Sequence, residues 1–595
     1  MTSRIAATSL LVLAPFAVAQ STAVQRNLAD VLPASTYACA SFAGTDACAG
    51  AARNLDVAKL IAAFLHEVPA ETVEEHITRE LDRAADQVRT RLARIGLSPA
   101  TLRAVLRRPM ALGIGRLTLR GFGPSVALVI DETGARAELD QLATSLQQAA
   151  TRFARGFHAG SRQVGGSTVQ TIENDLGFAV LFAHEHGLFV ITNSEGYLRE
   201  IGAVAAGTQP SLARESVLGA QRKQLAGREL AGLFLNTQRV LSTFDAHLPY
   251  EAAEIGDALG VHTIAGYYYG CGVDGGTTSE VSDLAMTGPS TGLLKAAFSN
   301  GGVDLGAAAL CSKDAVAFAT LHLHLPAVLH ALHQVIDLLP PALAARVQQG
   351  MHQEFAGGFH HLGVTPEQVH ELLGALGGSV SFGLNIGPAF IPEPLVLVPV
   401  TDASVVQQWL DRLCEMSAQM HGLQWKTRKV GSTDVRYCEV AAGIALSPSF
   451  ALADGYLIAS SQTKNVVAAL RQKSDAGNSL AGAEDLQAAV KGSPGAAGFV
   501  HLRGFRLVQL GWRTFDSMVL SQLEGHEREL GFGRDAIPDQ EAFAQALGTT
   551  TWSVTVDDRG AHARAVGFPL GNAGLLAGTM FVFDDVLGRA CSKIY

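Results

Sequence analysis

Four histidines stand close together in the chain. His322 and His324 alternate on a stretch with strand character, and His330 and His333 lie one helical turn apart after Pro326. Zinc or copper can use imidazoles spaced in this way, because positions i and i+3 of a helix share a face. His352, His360 and His361 follow, and His184 and His186 flank Glu185 earlier in the chain. A metal site ordinarily adds thiolate or carboxylate ligands at fixed spacing, yet neither H-E-x-x-H nor C-x-x-C occurs. His322, His324, His330 and His333 are thus the metal-ligand candidates. Hydrogen-bonded or solvent-facing imidazoles are the competing account.

A second candidate chemistry is nucleophilic. The run G-P-S-T-G at 288–292 fits the pattern G-x-S-x-G, with Ser290 as the catalytic serine. That elbow belongs to parallel sheets, and Pro289 restricts the turn, so a structural hinge is the simpler expectation. The string G-C-G-V-D-G at 270–275 has the letters of a phosphate loop. Phosphate binding needs a helix N-terminus next, whereas here a turn and another strand follow, so a glycine-rich hairpin turn is expected. Carboxylates are scattered. Asp131 and Asp402 each sit between a strand and a helix, and both are expected to cap the helix. No cofactor is expected.

The elements that must position these residues occur twice. The stretch V-A-L-V-I-D-E-T-G-A-R-A-E-L-D-Q-L from Val126 corresponds to L-V-L-V-P-V-T-D-A-S-V-V-Q-Q-W-L-D-R-L from Leu395, each an apolar strand running into an amphipathic helix. The strand, turn, strand and helix around His186-Gly187 correspond to those around Asp454-Gly455, and Asp-Gly is a strong hairpin signal. The shift is 267 at Pro99/Pro366, 271 at Leu139/Leu410, 268 at Gly187/Gly455, 266 at Gly232/Gly498, 288 at Gly260/Gly548 and 282 at Leu293/Leu575. So regular a shift predicts one unit of roughly 270–290 residues copied in tandem. The jump of 22 places an insertion in the second copy, within the segment that begins at Phe515. A long helix is expected over 70–95, with Val73, Ile77, Leu81, Val88, Leu92 and Ile95 on one face. Hairpins outnumber crossovers, so the expected class is α+β, with mainly antiparallel sheets and helices packed on one face.

The ends and the composition bound the rest. Arg4, a short apolar stretch and Ala17-Val18-Ala19 before Gln20 make a secretory signal over 1–19. The expected organisation is a first repeat over 20–300, a linker over 301–309, a second repeat over 310–586 and a tail over 587–595. No later segment supplies 18 consecutive apolar residues, so no transmembrane segment is expected in the mature chain, and a periplasmic or extracellular location follows. With 48% hydrophobic and 17% charged residues the chain is of globular composition. A net charge of −10 without basic runs argues against nucleic acid as a partner. Of the seven cysteines, Cys39 with Cys48 and Cys414 with Cys438 are the candidate bridges, and packing as buried free thiols is the alternative for Cys414.

The opening L-P-A-S-T-Y-A-C-A-S-F after the signal, the V-I-D-E-T-G-A-R-A-E-L-D-Q-L strand–helix and the G-S-T-V-Q-T-I to G-L-F-V-I-T-N-S hairpin resemble large exported bacterial proteins grouped as a domain of unknown function. The resemblance spans nearly the whole mature chain. It implies an exported location and this architecture, and it carries no catalytic residues. The functional expectation is an exported, non-catalytic binding, scaffold or envelope-associated protein whose partner is an apolar ligand, a peptide or an envelope protein. The alternative is a metal-dependent or serine hydrolase of the periplasm.

Overall fold

Runs in which every residue is apolar, such as V-A-L-V-I and L-F-V-I, form strands that must be covered on both faces. The computed structural model describes residues 27–567, leaving out 53, 57–58, 60–95, 117–122, 155, 215–217, 219–221, 223–224, 226–227, 246–249, 275, 298–300, 350–365, 388–391, 443, 473–475 and 517–537. The expected signal over 1–19, the helix over 70–95, His352, His360, His361, most of the expected insertion, the tail and Cys591 lie outside the described residues. Two units form by internal contacts. One comprises the residues up to Ala246 with Ala265–Ala285 and Thr514–Ala546, the other His247–Ile264, Met286–Arg513 and the residues from Leu547.

The strands of the first unit are β1 (Ala38–Phe42), β2 (Met110–Ile114), β3 (Val126–Asp131), β4 (Phe157–Val164), β5 (Ser167–Asn174), β6 (Ala179–Glu185), β7 (Leu188–Thr192), β8 (Glu229–Leu235), β9 (Ile264–Asp274) and β10 (Thr277–Met286). They lie in the order β10-β9-β8-β1-β2-β3-β7-β6-β5-β4, antiparallel at each pair from β9 to β4. The helices used below are α1 (Thr45–Ala52), α2 (Pro99–Leu106), α3 (Arg136–Phe153) and α4 (Glu195–Ala205). Ala127, Val129, Leu181, Ala183, Leu188 and Val190 point into one core, where Leu198 and Ile201 of α4 meet them. The alternate residues Ile130, Phe182 and Phe189 point the other way, onto Leu139 and Leu142 of α3 and Val105 of α2. Helices therefore cover both faces of the sheet at β3, β6 and β7, which corrects the expectation of a single covered face. The strands are apolar at successive positions rather than at alternate ones, and each face needs its own layer.

The second unit contains α5 (Tyr250–Leu259), α6 (Gly292–Ala297), α7 (Leu305–Ala309), β11 (Ala317–His322), α8 (Leu325–Asp337), α9 (Pro366–Ala375), β12 (Ser379–Ile386), β13 (Pro392–Pro399), α10 (Ala403–His421), β14 (Lys426–Val430), β15 (Thr433–Tyr437), β16 (Val440–Ala442), β17 (Ile444–Leu446), β18 (Ser449–Ala453), β19 (Tyr456–Ser460), α11 (Thr463–Gln472), α12 (Glu484–Lys491), β20 (Ala496–Arg503), β21 (Thr549–Asp557) and β22 (Gly560–Gly567). Its antiparallel sheet runs β22-β21-β20-β11-β12-β13-β19-β18-β15-β14, with β16 and β17 forming a separate hairpin. One core joins Leu395, Leu397, Ala451 and Ile458 to α7, α11 and α12. The other joins Phe450, Leu452 and Leu457 to Val406, Leu410 and Cys414 of α10 and Ala375 of α9.

The molecule is thus of mixed α+β class with antiparallel strand pairing. The stretch 301–309, expected as a linker, holds α7. Asp304 caps that helix through the Ala307 N–H, and Ala307 and Ala308 are fully buried. Asp402 caps α10 as expected, accepting from the N–H groups of Ser404 and Val405. Asp131 does not cap. Its carboxylate accepts from the Thr133 N–H, a turn through Gly134 at φ +67° follows, and α3 begins only at Arg136 with no side-chain cap. The hairpin turns agree with their sequences. Asp454-Gly455 has φ of 55° and 80°, and His186-Gly187 has 50° and 77°, the double positive φ of a tight β-turn. Among the described residues no helix is long and apolar enough to cross a membrane.

Candidate functional site

Strand alternation sends Cys39 of β1 into the core and turns Ala38 and Ala40 to the opposite face. On that face Ala40 lies opposite Leu112 of β2 on one side and Leu233 of β8 on the other, and Leu233 in turn lies opposite Tyr269 of β9. The neighbouring row is Ile114, Ala38, Leu235 and Tyr267. Two small side chains of β1 thus lie between larger apolar side chains of the neighbouring strands, an arrangement that can form a shallow groove whose sides stand about 10 Å apart. Leu112, Leu233 and Leu235 are 42%, 45% and 37% exposed, high values for leucines in the interior of a sheet.

The second unit has the same rows. Ala319 of β11 lies between Phe382 of β12 and Val500 of β20, with Trp552 of β21 next to Val500, while Ala317 lies between Leu384 and Leu502. Phe382 and Leu321 are 45% and 44% exposed, and the intervening Phe318 is buried in the core. No charged residue occurs in any of the four rows. Such a surface can hold an apolar chain by area burial alone, at about 25 cal/mol per Å² removed from water.

The sequence candidates land elsewhere. His322 ends β11, and its Nε2 lies 2.5 Å from the Gly302 carbonyl and 3.1 Å from the Gly302 N–H. His324 caps α8 through Nδ1, which accepts from the Ala327 N–H at 3.3 Å. His330 meets Gln334 at 3.2 Å and His333 meets the Leu329 carbonyl at 2.8 Å, both exposed on α8. The four imidazoles have separate partners. Among the described residues no group of three histidine, cysteine or carboxylate side chains is placed to hold a metal.

Ser290 lies in the turn before α6 and makes no hydrogen bond to a histidine or carboxylate among the described residues. The closing glycine of that turn has a packing reason. Gly292 has φ +57°, and a β-carbon there would run into the Ala258 carbonyl at the end of α5. Gly270 and Gly272 belong to β9 itself, which corrects their expected place in a hairpin turn. A side chain at Gly270 would meet the Tyr268 hydroxyl. One at Gly272 would meet the Arg228 carbonyl, beside the bulge between Glu229 and Ala231.

Three polar clusters join residues that the sequence reading did not group together. Glu229, its side chain 6% exposed, accepts from Asn27 and Ser41 on Oε1 and from Arg222 and Tyr268 on Oε2. Arg503 grips both oxygens of Asp485, which also lies 3.3 Å from Nε2 of the buried His501. His184 has Nε2 3.0 Å from Asp140, and its Nδ1 lies 3.1 Å from Glu132 without hydrogen-bond alignment. The Glu229 and Asp485 clusters are closed on themselves. Both nitrogens of His184 face carboxylates, and its Nδ1 makes no hydrogen bond among the described residues.

The six described cysteines are free thiols. Cys39 and Cys48 are not neighbours, which corrects one candidate bridge. Cys39 faces the core beside Glu229, and burial followed by that carboxylate pushes its thiol up to about 12. Cys48 of α1 neighbours Cys271, which alternation places on the opposite face of the sheet from Tyr268 and Cys39.

The groove residues were missed because their signal is split. Alanine at alternate positions, in A-C-A-S-F and A-F-A-T-L-H, is visible in the chain, but the flanking leucines come from strands far away in sequence. Compared with known protein families, with curated proteins and with solved structures, the chain gives no match to any of the three.

Proposed function

We propose that the protein is an exported, non-catalytic binding protein built from two tandem copies of one α+β unit, each of which takes an apolar chain into its alanine-floored groove. The observation that carries this reading is the paired set of rows, Leu112-Ala40-Leu233-Tyr269 and Phe382-Ala319-Val500-Trp552, with large apolar walls left exposed in both units. Exposed apolar side chains gathered in rows mark binding surfaces rather than ordinary solvent-facing sheet. The tandem copies are supported by ten strands paired in the same order in each unit and by the regular shift along the chain. Export rests on the residues of the signal over 1–19. An apolar ligand is favoured over a charged one, because the rows offer no group that would pair with charge.

A fluorescent sixteen-carbon fatty acid is the direct probe. Titration of the purified chain should give saturable binding. Leu233→Asp and Phe382→Asp each place a charge on a groove wall and should weaken the site they alter by about tenfold or more. Leu176→Asp is the control, at a leucine that is 77% exposed and outside the rows. No saturable binding by the wild type, or equal binding by all three variants, would sink the reading.

A further inference from the structure

Helix α10 presents Val406, Leu410 and Cys414 to the sheet, where they pack with Phe450 of β18. Arg436 of β15 lies directly opposite Phe450, so the two side chains project to the same face. The ladder continues beyond β15, since the Cys438 N–H donates to the Pro448 carbonyl at 3.1 Å. Two residues on from Arg436, Cys438 therefore points to that face as well, beneath α10. Arg436 shows how close the layers are: its guanidinium pairs with Asp411 at 2.5 Å and also hydrogen-bonds the Cys414 thiol, one helical turn further along α10. Cys414 and Cys438 are 7% and 1% exposed and are electrostatic neighbours.

We propose that Cys414 and Cys438 are joined by a disulfide when the chain folds under oxidising conditions, pinning α10 to the strand beneath it. The oxidant is a disulfide donor, R–S–S–R. The Cys414 thiolate attacks one donor sulfur and releases the first thiolate, forming a mixed disulfide. The Cys438 thiolate then attacks the Cys414 sulfur, the new S–S bond forms, and the second donor thiolate leaves. The two cysteine protons end on two R–SH, and the donor has taken up two electrons. Burial holds the Cys414 thiol above its ordinary range while Arg436 works against it, and burial raises Cys438 as well. Exchange therefore belongs to the folding chain, before α10 closes over the sheet. The inference shares only the exported location with the functional reading, and its test in vitro is independent of the grooves.

The full chain is refolded from denaturant with oxidised and reduced glutathione, its remaining thiols are alkylated, and unreduced peptides are mapped by mass spectrometry. The expected result is one linked peptide pair containing Cys414 and Cys438, lost on reduction. Reduction should also lower Tm by roughly 5 °C, and Cys438→Ala should abolish that sensitivity to reductant. Alkyl label on both cysteines after oxidative refolding, or linkage of either one to a different cysteine, would overturn the proposal.

Discussion

At the scale of single residues the buried polar side chains explain stability rather than chemistry. Asp485 is the clearest case. Burial works against its charge, but the hydrogen bonds from His501 and Arg503 outweigh burial and hold its carboxyl well below the usual carboxylate range. A carboxyl depressed in the folded state stabilises the fold at pH values above its unfolded pKa of about 4. That contribution is lost as the pH falls from there toward the folded value. Asp485→Asn leaves the Arg503 guanidinium, 4% exposed, without its anion, and should cost roughly 3 kcal/mol at pH 7. Urea unfolding measured at pH 7 and at pH 3 checks the sign, since the gap between variant and wild type should be smaller at the lower pH. The partners of His184 are Glu132, in the turn before α3, and Asp140, in α3 itself, and neither carboxylate was marked by spacing in the chain.

At the scale of elements, two signals in the chain acquire physical causes. His186 takes up φ +50° because the β6–β7 turn requires it, just as Asp454 does in the β18–β19 turn. Its imidazole is incidental to that requirement. The G-x-S-x-G run is explained by the close approach of α5 and α6 at Gly292. Gly292→Ala should therefore destabilise the protein by about 1–3 kcal/mol, from a strained positive φ and a backbone clash. Ser290→Ala should change stability by less than about 0.5 kcal/mol. Thermal unfolding separates the two. A broad esterase screen in which wild type and Ser290→Ala behave alike would remove the serine-hydrolase alternative.

At the scale of the whole molecule, the proposed reading gives each unit its own apolar rows, with different side chains in each. Leucine and tyrosine line the first, while phenylalanine, valine and tryptophan line the second. The fatty-acid probe should thus saturate at two equivalents per chain. Leu233→Asp should remove one class of site and Phe382→Asp the other, as read by calorimetric titration. A stoichiometry of one that both variants reduce equally would count against two separate grooves.

Much of the architecture was readable from the chain. Apolar runs marked the strands, Asp454-Gly455 marked its hairpin and Asp402 marked its helix start. All of these are local signals, set by the backbone preferences of a few adjacent residues. The sequence also brought Cys414 and Cys438 together as candidates, because a helix and the strand pair after it fold back within a short stretch. Tertiary structure alone decided the rest. Helices came to lie on both sheet faces, and Asp131 gave up its cap to an added turn. Cys39 parted from Cys48 across the sheet. Ala40 became the floor of a groove whose walls, Leu112 and Leu233, lie 72 and 193 residues further along the chain. Register between distant strands sets which side chains share a face. It follows from the packing of the entire core, so no local run of residues could encode it.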